Sequence, residues 1–170
     1  MLFALLALAA APAAGAYPAP LTPAAQGKVQ CYAPTDHKTS ASIAGYVANG
    51  DGTFANVAMV MLSKSPVVVM QTTTPVSIKE GAVCGAIHSQ DVIGGSLTVN
   101  GQPVPADKAT AILTRIAASL DPILGHQICT VYTSDGTGLV ARSTMDGKAE
   151  PDQDQKMIWV APSAGYKVGP

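Results

Sequence analysis

Asx-Gly dipeptides punctuate this chain at Asn49-Gly50, Asp51-Gly52, Asn100-Gly101, Asp135-Gly136 and Asp146-Gly147. Such pairs supply the positive φ angles that tight hairpins need. The segments between them are therefore constrained to be short and to reverse direction. Their composition agrees with that reading. Residues 29–33, 43–47, 54–62, 67–70, 76–78 and 83–87 are strand-length apolar runs rich in valine and isoleucine, and so are 96–99, 102–104, 127–133, 139–145 and 157–161. Length and β-branched content favour strands over helices in such runs.

One segment breaks the pattern. Ala109, Ile112, Leu113, Ile116, Ala117 and Leu120 fall on one face at helical spacing, which predicts an amphipathic helix over about 106–120. Pro105 and Asp107 suit its first turn, and Asp121-Pro122 ends it. The expected fold class is α+β: a mainly antiparallel β-sheet with that one amphipathic helix.

Residues 1–16 read as a cleavable secretory signal peptide, with an apolar core after Met1 and an A-x-A pattern at Ala14 and Ala16. No lysine or arginine precedes the core, and a start site lying upstream would account for that. The apolar run is too short for a membrane span, which needs about 20 residues. The first cysteine, Cys31, lies well beyond the cleavage point of a lipoprotein signal. The expected location is periplasmic or extracellular, with no membrane span once the signal is removed. Residues 17–27 are Pro- and Ala-rich without periodicity and predict a flexible lead-in, and 28–170 a single globular domain.

The 48% hydrophobic content of the 170 residues is inflated by that signal, while charged residues make up only 12%. Ten basic against eleven acidic residues leave no electrostatic footprint for nucleic acid.

An oxidising compartment converts the three cysteines into a disulfide and a leftover thiol. Cys84 and Cys129 both lie in strand-like runs, so their pairing is preferred, with Cys31 as a free thiol. Closing so long a loop is worth about 4 kcal/mol in the chain-entropy model. There is no C-x-x-C motif and no Cys/His pair at ligand spacing, so no metal or cofactor is expected.

No stretch carries a specific catalytic motif. His88 and Asp91 are three apart but sit at a strand end, where they share no helical face. Asp36-His37 near Thr39 and Ser40 suggests a triad, yet the serine lacks the G-x-S-x-G elbow. His37, His88 and His126 read as exposed loop histidines. Glu150, Asp152 and Asp154 read as a solvated turn, without the register of an EF-hand calcium loop. Trp159 reads as core, and Tyr17, Tyr32, Tyr46 and Tyr166 as partly exposed.

The segments Gln30-Cys31-Tyr32-Ala33-Pro34, Asp51-Gly52-Thr53, Ala82-Val83-Cys84-Gly85, Ile158-Trp159-Val160 and Gly165-Tyr166-Lys167-Val168 span most of residues 17–170. In these the chain resembles small exported bacterial proteins of unknown function. The resemblance implies no activity and no site residues. It does imply a second cysteine around position 40, where this chain has Ser40, and hence the loss of a local bridge to Cys31. The leading expectation is a non-enzymatic envelope or secreted protein that binds an unidentified protein partner or plays a structural role. The alternative is a small exported hydrolase or enzyme inhibitor whose site is assembled only by folding.

Overall fold

The computed structural model describes residues 17–170; the signal-peptide expectation for 1–16 lies outside the described residues. In chain order the strands are β1 (Val29–Tyr32), β2 (Thr39–Ser40), β3 (Ser42–Ala48), β4 (Thr53–Lys64), β5 (Val67–Lys79) and β6 (Ala82–Ala86). Helix α1 (Ser89–Ile93), the hairpin of β7 (Ser96–Val99) and β8 (Gln102–Pro103), and helix α2 (Ala106–Ser119) come next. The chain finishes with β9 (Gln127–Ser134), β10 (Leu139–Met145), β11 (Lys148–Ala149), β12 (Gln155–Val160) and β13 (Lys167–Val168).

Eight of these strands close on themselves. β1, β3, β4, β5, β6, β9, β10 and β12 each pair antiparallel with the next, and β12 returns to β1 with Val29 opposite Val160 and Tyr32 opposite Met157. The fold is a closed eight-stranded antiparallel β-barrel with accessory strands. This corrects the α+β expectation. The protein is mostly β, and the amphipathic segment that forms α2 is an addition to the barrel rather than the second half of an α+β domain. Local periodicity could not reveal closure, because the pairing of β12 with β1 joins opposite ends of the chain.

The turns follow the chemistry of their residues. Asn100-Gly101 has φ values of 48° and 77°, and Asp146-Gly147 has 49° and 81°, the doubly left-handed geometry of a two-residue hairpin. Pro75 does not divide its segment, as the sequence runs suggested: β5 is continuous for 13 residues. Pro75 falls where β5 changes its second partner, from β7 (paired with Val68 to Gln71) to β6 (paired with Val76 to Lys79). No second ladder crosses that stretch, so an edge proline is tolerated there. Gly85 faces the same bend. A Cβ on it would lie 2.8 Å from the Pro75 carbonyl oxygen and 2.9 Å from Val76 Cγ1, so only glycine lets β6 approach.

Each end of the barrel has its own core. At one, residues 17–27, expected to be a lead-in to the domain, pack against it. Leu21 is fully buried, and Tyr17, Ala24, Tyr46, Phe54 and Val83 form a single cluster with it. The Tyr17 and Phe54 ring centroids are 5.3 Å apart. The Tyr17 hydroxyl accepts the Ala48 amide (3.2 Å) and donates to the Tyr46 carbonyl (3.4 Å). At the other, Ala109, Leu113 and Ala117 of α2 pack on Met70, Val92 and Leu97. Ile116 and Leu120 pack half-buried against the same cluster, and of the expected stripe Ile112 alone is left exposed, at 43%.

Cys84 and Cys129 are direct register partners on β6 and β9 and form a disulfide, with Cα atoms 4.1 Å apart. Cys31 is free and fully buried.

Candidate functional site

Strand alternation places every second residue on the inner face of a barrel. The register follows this face around the ring. Gln30 lies opposite Ala44, Ala44 opposite Ala58, and Ala58 opposite Thr72. Val76 lies opposite Gly85, Val83 opposite Thr130, and Tyr132 opposite Ala141. Leu139 opposite Met157 and Trp159 opposite Gln30 complete the circuit.

Many of these inner positions carry small or short side chains, so the lumen is not filled. A cavity of about 240 Å³ remains. Val60, Met70, Val76, Ile87, Val92 and Ile128 form its apolar wall. Tyr32, Tyr46, Tyr132, Asn56, Thr74 and Thr130 give it polar points, and no charged side chain lines it. Val92 comes from α1, so this short helix closes part of the wall where β5 and β6 diverge.

The polar points converge. Gln30, fully buried on the inner face, accepts hydrogen bonds at Oε1 from the hydroxyls of Tyr46 (2.7 Å) and Tyr32 (2.8 Å). The Tyr132 hydroxyl lies 3.1 Å from that of Tyr32 and 3.4 Å from the same amide oxygen. The amide nitrogen of Gln30 is buried with no hydrogen-bond partner. Burial, and then the neighbouring tyrosines, push the phenols of Tyr32 and Tyr46 well above the ordinary tyrosine value. Both remain neutral hydroxyls at any physiological pH. Glutamine in the middle of a barrel core is costly unless its polar atoms are satisfied, and here half of the amide is not.

The residues singled out by sequence are elsewhere. His37 is exposed, with its amide on Thr35 Oγ1 (3.3 Å), while Ser40 is buried, so no triad forms. Asp91 accepts the His88 backbone amide (2.8 Å) and caps α1. Asp154 pairs with Arg142 at 3.7 Å on the surface. Ser40 sits against the Cys31 thiol, whose pKa is raised chiefly by burial, an effect that the Ser40 hydroxyl partly offsets.

The His126 imidazole donates from Nδ1 to Asp146 Oδ2 (2.6 Å), and the other carboxylate oxygen accepts the Gln127 amide (2.9 Å). Both side chains are about half exposed. The His126 bond first, then the Gln127 amide, hold the Asp146 carboxyl below its ordinary value of 3.8. A carboxyl lowered by folding stabilises the fold above its unfolded pKa, and that contribution is lost as the pH falls through the lowered folded value. His126→Ala is therefore expected to move the Asp146 titration, followed by carboxyl carbon NMR, back up toward 3.8.

No family model matches this chain, and no curated protein or solved structure matches it.

The lumen residues escaped the sequence reading. Tyr17 and Tyr46 are buried rather than partly exposed, whereas Tyr32 and Tyr166 are half-buried. The one available signal was the i, i+2 pair Gln30 and Tyr32, a polar face on a short strand whose other face carries Val29 and Cys31.

Proposed function

We propose that this protein is a non-enzymatic binding protein that holds one small, largely apolar molecule in the barrel lumen. The cavity carries this reading. Eight strands enclose an interior wide enough either to be filled by side chains or to hold one small ligand. In this barrel about 240 Å³ is left unfilled, lined in part by Tyr46 and Val83 of one hydrophobic cluster and Met70 and Val92 of the other. That exceeds the roughly 150 Å³ apolar cavity that takes up benzene. The disulfide suits an oxidising compartment, which supports an exported setting for this binding role.

The hydrolase alternative has one supporting observation, the His126–Asp146 pair. Among the described residues no hydroxyl or thiol side chain hydrogen-bonds to His126, and the pair lies on the surface. The lumen is the better-built site.

The test is methyl NMR of the full chain titrated with benzene. Shifts concentrated at Met70, Val60 and Ile128, abolished by the cavity-filling Ala58→Leu, are the expected result. Shifts scattered over the surface, or unchanged in Ala58→Leu, would refute lumen binding.

A further inference from the structure

We propose that the lumen selects neutral molecules with an apolar body of about ten heavy atoms and a single carbonyl oxygen, which the tyrosine hydroxyls held in place by Gln30 recognise. This rests on the lumen being the binding site and adds the class of ligand.

The hydrogen-bond inventory points to an acceptor. A glutamine oxygen has two lone pairs and a tyrosine hydroxyl one proton. Tyr46 and Tyr32 give their protons to Gln30 Oε1, so the 3.1 Å contact between hydroxyls has Tyr132 donating to the Tyr32 oxygen. Every acceptor site on the Gln30 oxygen is then used, while both protons of its buried amide nitrogen are unmatched. Gln30 is not one of the residues lining the cavity, so the donor that faces the lumen is the Tyr132 hydroxyl, which lies 3.1 Å from the Tyr32 oxygen and 3.4 Å from the already saturated Gln30 oxygen and is free to turn from either. An acceptor oxygen entering the lumen beside Tyr132 takes up that donor without leaving a new polar group unpaired. A carbonyl supplies that acceptor with no donor of its own to satisfy.

The charge of the ligand follows from the wall. No lysine, arginine or histidine lines the cavity, and the phenols of Tyr32 and Tyr46 stay protonated and neutral. A carboxylate there would be desolvated without a counter-charge, which is far more costly than burying a carbonyl. A plain hydrocarbon would fit the apolar wall but would gain no hydrogen bond from Tyr132. The apolar body is expected to lie toward Val60, Met70 and Ile128, with the oxygen at the tyrosine end.

The experiment uses three probes on one skeleton: n-butylbenzene, butyrophenone and 4-phenylbutyrate, each titrated into the full chain by calorimetry at neutral pH. Butyrophenone is expected to bind about tenfold more tightly than n-butylbenzene, the margin of one buried hydrogen bond, and 4-phenylbutyrate more weakly than the ketone. In Tyr132→Phe the ketone should fall to the affinity of the hydrocarbon, whose own affinity is unchanged. Gln30→Leu gives a harsher version of the test. If it fails to fold, Tyr132→Phe, which removes a single oxygen, still decides the matter. Equal binding of ketone and hydrocarbon to the unaltered protein overturns the carbonyl preference while leaving the lumen as the site. Tightest binding of 4-phenylbutyrate overturns the preference for neutral ligands. Failure of all three probes, with no benzene shifts either, removes the lumen reading itself.

Discussion

Replacing Cys84 and Cys129 together by alanine is expected to lower the unfolding free energy by about 4 kcal/mol, the chain-entropy value for a loop of this length. The two residues are 45 apart in sequence, so the bridge removes many conformations from the unfolded chain. Its position adds a second reason. Strands β3 to β6 form one run of hairpins and β9 to β12 another, and between β6 and β9 run two helices and the β7–β8 hairpin. Only four register pairs, Val83–Thr130 to Ala86–Gln127, join the two runs there, and the disulfide is one of them. A loss of this size is a large share of a domain's typical 5–15 kcal/mol. Urea titration of the oxidised protein and the double alanine variant measures it. A change under about 1 kcal/mol would mean that the bridge constrains the unfolded chain far less than the loop length implies.

Phe54→Ala is expected to cost a similar amount, about 4 kcal/mol, because truncating a buried aromatic side chain loses its burial and leaves a cavity. Phe54 is 1% exposed and meets the Tyr17 ring at 5.3 Å, inside the cluster that includes the fully buried Leu21. The effect should not stay local to β4. Residues 17–27 hold to the barrel largely through this cluster, so their release should accompany the loss. Hydrogen exchange provides the readout: the Leu21 and Ala24 amides, which donate to Pro18 and Leu21 carbonyls, should lose protection in Phe54→Ala. Protected amides there, with an unchanged melting temperature, would show that the segment is anchored by something other than this packing. Leu21→Ala should cost about 3 kcal/mol, and less than additively with Phe54→Ala, since the two share one cluster.

Strand content was legible because hairpin chemistry is local. Asn100-Gly101 and Asp146-Gly147 need positive φ, and dipeptides of that kind announce a tight turn wherever they occur. The Cys84–Cys129 pairing was legible for a related reason: both residues lie within apolar strand runs, where cross-strand partners meet. The stripe of α2 was read one residue too wide. Ile112 fits the periodicity yet is exposed, while Ala109, Leu113 and Ala117 are buried and Ile116 and Leu120 pack half-buried against the same cluster. The packing of 17–27 was not legible because proline and alanine carry no period, and Tyr17 and Leu21 find their partners Tyr46, Phe54 and Val83 on three different strands.

The site itself was the least visible part. Histidines and acids drew attention because they titrate, whereas Gln30, Tyr46 and Tyr132 are ordinary residues distributed over β1, β3 and β9. Their hydroxyls meet at one amide oxygen only because a barrel's inner face brings distant strands together. Sequence by itself determined the tight Asx-Gly hairpin turns, most of the strand runs, and which two cysteines pair, since these depend on neighbours a few residues away or on a shared strand pattern. Tertiary structure alone decided the rest. Pairing β12 with β1 turned an expected sheet into a closed barrel, and that closure decided which face of each strand became a lumen and how much of it the side chains left unfilled.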